Sequence, residues 1–187
     1  AVPVKSVAEL IALAKAKPGD LNYASSGTGA TSHLAGEMLK SMAGINIVRI
    51  SYKGAGQAMN DLLAGQVQVA FPTAGAAAAH MRAGRVRALA VTSLEPSPLA
   101  PGLPTVASVL PGYETTAIYG LFVPARTPAT LINRLHREAV QVVKSAEVKD
   151  KLQSAAVETV GDTPDQLIAR VKGDMARMKK VIDADRK

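Results

Sequence analysis

Short apolar runs alternate with helix-period stripes along the first half of the chain, and glycines close most of the helices. Residues 21–24 read as a strand, followed by the turn Ser25-Ser26-Gly27-Thr28-Gly29 and a helix starting near Thr31. Leu34, Met38, Leu39 and Met42 form that helix's apolar face and Gly44 its end. Residues 47–50, 67–71 and 86–92 read as further strands. Residues 55–64 and 74–81 read as helices closed by Gly65 and Gly84. Ahead of them, Ser6 and Glu9 form a capping box before a helix bearing Val7, Leu10, Ile11 and Ala14, which Pro18-Gly19 stops. Strand and helix in alternation at this spacing mean βαβ units, a mainly parallel sheet and right-handed connections. The fold class is α/β.

The pattern then changes. Pro96, Pro98, Pro101, Pro104 and Pro111 exclude a long helix or central strand, leaving an ordered loop with one short helix near Val106. Residues 118–123 read as a strand. Helices follow: one capped by Thr127 with Pro128 in its first position and the stripe Leu131, Ile132, Leu135, Ala139, Val142; a turn over 147–152; and one opened by Thr163-Pro164 with Gln166. The last directs Ile168, Val171, Met175, Met178 and Ile182 inward. These helices need a sheet to cover their apolar faces, yet only one strand directly precedes them. That imbalance predicts a subdomain upstream of Ala1.

Net charge is +7, so nucleic acid is the first partner to test. The basic residues are scattered over several helices, and four Tyr with two Phe make no stacking platform among them. Attraction for small anions is the better use of the charge. With no cysteine there is no disulfide, thiolate metal site or thiol nucleophile. His33, His80 and His136 fall on separate helices without metal-ligand spacing. No apolar run reaches membrane-spanning length. The opening Ala1-Val2-Pro3-Val4 lacks the parts of a signal peptide, which leaves a cytosolic protein or a start further upstream.

The functional signal lies at the strand-to-helix turns. The turn from Ser25 to Gly29, with Thr31 and Ser32, joins a strand to a helix at the carboxyl edge of a parallel sheet, where α/β ligand sites form. Small residues let backbone N–H groups approach an anion. The helix N-terminus adds roughly half a positive charge. A carboxylate is the natural guest. The phosphate-loop lysine is missing, and Ser32 stands where a dinucleotide fingerprint needs a third glycine. Lys53-Gly54 before Ala55-Gly56 forms a second such turn. Thr73 marks a third, where capping the next helix accounts for it by itself. His33 alone of the histidines borders the glycine turn. No Gly-x-Ser-x-Gly elbow is present, so Ser25 and Ser26 are not read as nucleophiles.

A series of collinear segments resembles one family. Tyr23-Ala24-Ser25-Ser26-Gly27-Thr28-Gly29, Ser32-His33-Leu34-Ala35-Gly36-Glu37 and Tyr52-Lys53-Gly54 are similar to the extracytoplasmic solute receptors of tripartite tricarboxylate transporters, the Bug family. Asp61-Leu62-Leu63-Ala64-Gly65-Gln66-Val67, Arg87-Ala88-Leu89-Ala90-Val91-Thr92, Leu103-Pro104-Thr105-Val106 and Tyr119-Gly120-Leu121-Phe122-Val123-Pro124-Ala125 continue the match. The resemblance implies a type II periplasmic binding protein fold, two α/β lobes closing on a ligand. Residues 1–116 are then the second lobe. Residues 117–187 return to the first lobe, with the hinge near Tyr119. A Pro-Gly-Gly carboxylate loop is expected upstream of Ala1.

The resemblance also implies a periplasmic receptor rather than an enzyme, monomeric at full length, without metal or cofactor. It would pass a small carboxylate to integral membrane transporter subunits. Ser25, Ser26, Gly27, Thr28, Gly29, Thr31, Lys53, Gly54, Thr73 and Tyr119 would contact the ligand. Relatives often carry an acidic or amide residue where this chain has Pro72-Thr73-Ala74, so an amino-acid ligand is disfavoured and a plain carboxylate favoured. Two other readings stand beside it: a transferase using phosphate or nucleotide on the glycine loop, and an effector-binding regulatory domain.

Overall fold

The computed structural model describes residues 2–185. It divides into two compact units, one running to Ala117 and resuming at Met178, the other Ile118–Arg177.

The first unit opens with α1 (Val7–Ala16). Ser6 Oγ accepts from the Glu9 amide at 3.1 Å, and Glu9 Oε2 accepts in turn from the Lys5 amide at 2.8 Å. Val7, Leu10 and Ala14 are buried along one face. There follow β1 (Asn22–Ser25), α2 (Thr31–Ala43), β2 (Val48–Ser51), α3 (Ala55–Leu63), β3 (Val69–Ala70) and α4 (Ala74–Arg82). The three strands form a parallel sheet in the order β2-β1-β3, with Tyr23 in register with Arg49 and Val69. Because β1 is central, Tyr23, Ala24 and Ser25 are all buried. The carboxyl ends of all three strands open onto the same edge.

Tyr23 organises the core. Its ring meets Phe71 edge-on at 6.0 Å between centroids, and its hydroxyl donates to Glu37 Oε1 at 2.6 Å. Lys40 donates to the other oxygen of Glu37, also at 2.6 Å, so this buried carboxylate is neutralised where it stands. The ring packs against Gly36 of α2, where any Cβ would overlap it. Met38, Leu39, Ile45, Ile47, Val106 and Tyr113 complete the cluster. Tyr113 donates to the Ala35 carbonyl at 2.9 Å, and burial pushes its phenol well above the ordinary range.

Several expectations are corrected. Residues 86–92 form no strand of the sheet; Val91 makes a single bridge with Thr105. Its amide donates to the Pro104 carbonyl at 2.8 Å, and its carbonyl accepts from Val106 at 2.9 Å, so the proline loop takes its hydrogen bonds. That loop holds one 3₁₀ turn, Val106–Ser108, capped by Thr105. On α2, Met38 and Leu39 are buried and Leu34 packs against the core as expected, but Met42 is exposed, and Ala35, Gly36, Glu37 and Ala43 are inside as well. Small residues at 35 and 36 go with the close packing of this helix on Tyr23, whose ring a Cβ at position 36 would overlap.

The second unit contains α5 (Ala129–Lys144), α6 (Ala146–Ser154) and most of α7 (Pro164–Asp185). Pro128, not Thr127, is the residue flanking α5. Thr163 and Gln166 make the expected reciprocal box at the start of α7, at 3.3 and 2.9 Å. Residues 118–123 are not a strand: a strand needs a ladder partner, and among the described residues none pairs with this segment. None of residues 118–177 is fully buried. On α7, Ile168, Met175 and Ile182 face solvent; Val171, half-buried, and Met178, buried, keep their expected orientation. Met178 and Val181 pack into the core of the first unit. Among the described residues no helix is long and apolar enough to cross a membrane.

Candidate functional site

The sheet order sets the geometry of the site. With β1 in the middle, its turn from Ser25 to Ala30 is flanked by the β2–α3 turn at Tyr52–Gly54 and the β3–α4 turn at Phe71–Thr73. The first two are tied together, since the Tyr52 amide donates to the Ser25 carbonyl at 2.9 Å. Tyr52 in turn donates to Asp61 of α3 at 2.8 Å; partial burial and then that carboxylate push its phenol upward.

The glycine turn is held from below. The Ser26 amide donates to Ser32 Oγ at 2.9 Å, and the two hydroxyls lie 2.9 Å apart. The Ala30 amide donates to the Gly27 carbonyl at 3.3 Å. The Gly29 amide donates to His33 Nδ1 at 3.1 Å, so that nitrogen carries no proton. These bonds claim three of the turn's amides for the protein itself. The amides of Gly27 and Thr28 donate to no protein acceptor among the described residues. Gly27 sits at φ +135° and Gly29 at φ +79°, conformations that L side chains rarely adopt.

The three helix starts differ. Thr73 Oγ1 caps α4, accepting from the Ala76 amide at 3.4 Å. Ala30 before α2 and Gly54 before α3 make no side-chain cap, and neither helix has an acidic residue in its first turn. The His33 amide donates to the Ala30 carbonyl at 2.9 Å, which leaves the amides of Thr31 and Ser32 in α2, and the first amides of α3, to an outside acceptor at the positive ends of two helices. The sequence-predicted residues Ser25 to Gly29, Thr31, Lys53, Gly54 and Thr73 all lie along this one edge. Ser25 is wholly buried and its hydroxyl has no partner among the described residues. Tyr119 belongs to the other compact unit and is 74% exposed.

Two residues escaped the sequence reading. Arg49, inside β2, reaches back to the glycine turn, its Nη2 donating to Thr28 Oγ1 at 2.9 Å. Glu37 ties the middle of α2 to β1 through Tyr23. A reading of strand-to-helix turns passes over both, because one lies within a strand and the other within a helix. Strand register is the signal that would have found Arg49.

Comparison with known proteins now decides the family. The model of the TctC family, described as the tripartite tricarboxylate transporter family receptor, matches residues 1–186.

The chain belongs to the TctC receptor family.

A UPF0065 protein of the tcbD-tcbE intergenic region in Pseudomonas sp. strain P51 is 33% identical over 180 residues, which are 95% of this chain and 54% of that one. Among solved TctC-type structures, R. palustris Rpa4515 with adipate has a TM-score of 0.88 at 33% identity, covering 98% of this chain and 62% of the other. The periplasmic binding protein BugD has a TM-score of 0.84 at 29% identity, covering 97% and 62%. This TctC-family chain thus has the α/β fold of such binding proteins, and it spans about half the length of the curated relatives it matches. The family is one of periplasmic solute receptors, not enzymes.

Proposed function

We propose that this chain serves a periplasmic receptor that captures a small carboxylate for a tripartite tricarboxylate-type transporter and does no chemistry on it. The supporting observation is the pair of uncapped helix starts, α2 and α3, beside the unclaimed amides of Gly27 and Thr28. Main-chain donors converging on a positive helix end accept a carboxylate without a buried counter-ion. The adipate in a relative of the same fold, 33% identical, agrees with a ligand of this class.

In this reading Ser26, Gly27, Thr28, Gly29 and Thr31 cradle one carboxylate, and the wholly buried Ser25 backs the turn rather than touching the ligand. Their roles differ: Gly27 and Thr28 donate amides, while Ser26 and Gly29 shape the turn. Lys53 and Gly54 approach from the neighbouring turn. Thr73, already engaged as a cap, contributes at most its hydroxyl proton. Residues 1–116 act as the second lobe and residues 117–187 as the segment returning to the first, with Tyr119 at the hinge. The compact-unit boundary after Ala117 supports the start of that return, whereas Met178 onward groups with the first unit. Closure of the lobes would be the state that the membrane subunits recognise.

The test is ligand-dependent thermal stability of the purified chain. Adipate and shorter dicarboxylates should raise the midpoint, while ATP and NAD should not. Stabilisation by a nucleotide with no response to any carboxylate would overturn the reading in favour of a transferase.

A further inference from the structure

We propose that Arg49 is a positioning residue for the ligand turn, holding the Thr28 hydroxyl so that its proton is given to the bound carboxylate. The proposal rests on the receptor reading above and adds a specific side chain to it. The register of β1 with β2 pairs Tyr23 with Arg49 and Ser25 with Ser51. Arg49 therefore sits two residues before the end of its strand, and its long side chain extends alongside β1 to the turn beyond it. There Nη2 meets Thr28 Oγ1 at 2.9 Å.

The direction of this bond is fixed by chemistry. A guanidinium has five N–H donors and no acceptor, so Thr28 Oγ1 must be the acceptor. The hydroxyl keeps its own proton to donate. Among the described residues no protein group takes that proton, and none takes the amides of Gly27 or Thr28. Two adjacent residues thus carry three uncommitted donors. Accepting from a charged group polarises the hydroxyl and makes it a stronger donor. No carboxylate among the described residues is ion-paired with Arg49, so its charge is not cancelled locally. Without Arg49, the Thr28 side chain is free to rotate, and the hydroxyl has no preferred direction.

The experiment is a double-mutant cycle read by calorimetric titration of adipate into the full chain. Arg49→Met should weaken adipate binding about tenfold, the scale of a hydrogen bond to a charged group. Arg49→Lys should recover part of the loss. Thr28→Val should weaken binding at least as much as Arg49→Met. In the Thr28→Val background, Arg49→Met should have no further effect. Unfolding midpoints of the Arg49 variants should stay close to the parent's, because the half-buried side chain bonds only an exposed hydroxyl.

An Arg49→Met chain that binds adipate like the parent overturns the proposal and leaves the receptor reading intact. Equal losses in both backgrounds also overturn it, showing that Arg49 acts only as a nearby charge. A parent chain that binds no carboxylate overturns the receptor reading and this proposal together.

Discussion

Gly36→Ala is the substitution whose sign is least obvious from sequence. In an exposed helix, alanine in place of glycine stabilises by about 1 kcal/mol. At position 36 the new Cβ would overlap ring atoms of Tyr23, standing only 2.8 Å from Cδ2. The ring has nowhere to go, since Tyr23 is wholly buried between α2 and Phe71. Overpacking of this kind costs about 1–3 kcal/mol. Displacing the ring also strains its 2.6 Å bond to the buried Glu37, a charge-assisted bond worth about 1.5–3 kcal/mol. Set against the helical gain, the net loss is about 2 kcal/mol or more. With a urea slope of about 2 kcal/mol/M, the midpoint falls by about 1 M. Urea unfolding followed by near-ultraviolet circular dichroism suits the chain, which has four tyrosines and no tryptophan. Tyr23, Tyr52 and Tyr113 lie in the first unit, so the signal reports mainly on that unit. Gly173→Ala is the control. Gly173 lies in α7 with open space where its Cβ would be, so that change should leave the chain as stable or more so. A Gly36→Ala chain as stable as the parent would refute the packing argument.

Other outcomes follow from the same contacts. Tyr23→Phe should cost about 1–2 kcal/mol by leaving Glu37 Oε1 short of a donor, read as a lower urea midpoint. Ser32→Ala removes the acceptor of the Ser26 amide; hydrogen exchange at Ser26 should accelerate, and adipate affinity should fall a fewfold as the turn loosens. Thr73→Ala should cost about 0.5 kcal/mol in stability, the low end for a cap, because its bond is long at 3.4 Å. A large loss of adipate affinity in that variant would instead mean that Thr73 is a principal ligand contact.

Local signals were legible in the sequence wherever the chain satisfies its own backbone. The boxes at Ser6–Glu9 and Thr163–Gln166 and the strand–turn–helix order through α4 were readable because caps, glycine stops and period are properties of neighbouring residues. What misled was dependence on distant partners. Residues 86–92 and 118–123 have the composition of strands, but whether such a segment becomes one depends on what lies beside it. Of the five residues that the spacing of α7 turns inward, Val171 and Met178 are the more buried, with Val181 beside them, while Ile168, Met175 and Ile182 face solvent; spacing marks a broad stripe but not which part of it a distant element covers. At the site, the turns themselves were found from sequence. Which of their amides are spent on Ser32, Gly27 and His33, and which stay available, only the structure distinguishes.

The most direct test is to follow each backbone amide by 15N–1H correlation spectroscopy while adipate is added to the labelled chain. The account predicts the largest, saturable shifts at Gly27, Thr28, Lys53 and Gly54, with Ser26 and Gly29 moving less because their protons are already engaged. Saturable shifts that spare the β1–α2 and β2–α3 turns and gather elsewhere on the chain would contradict it.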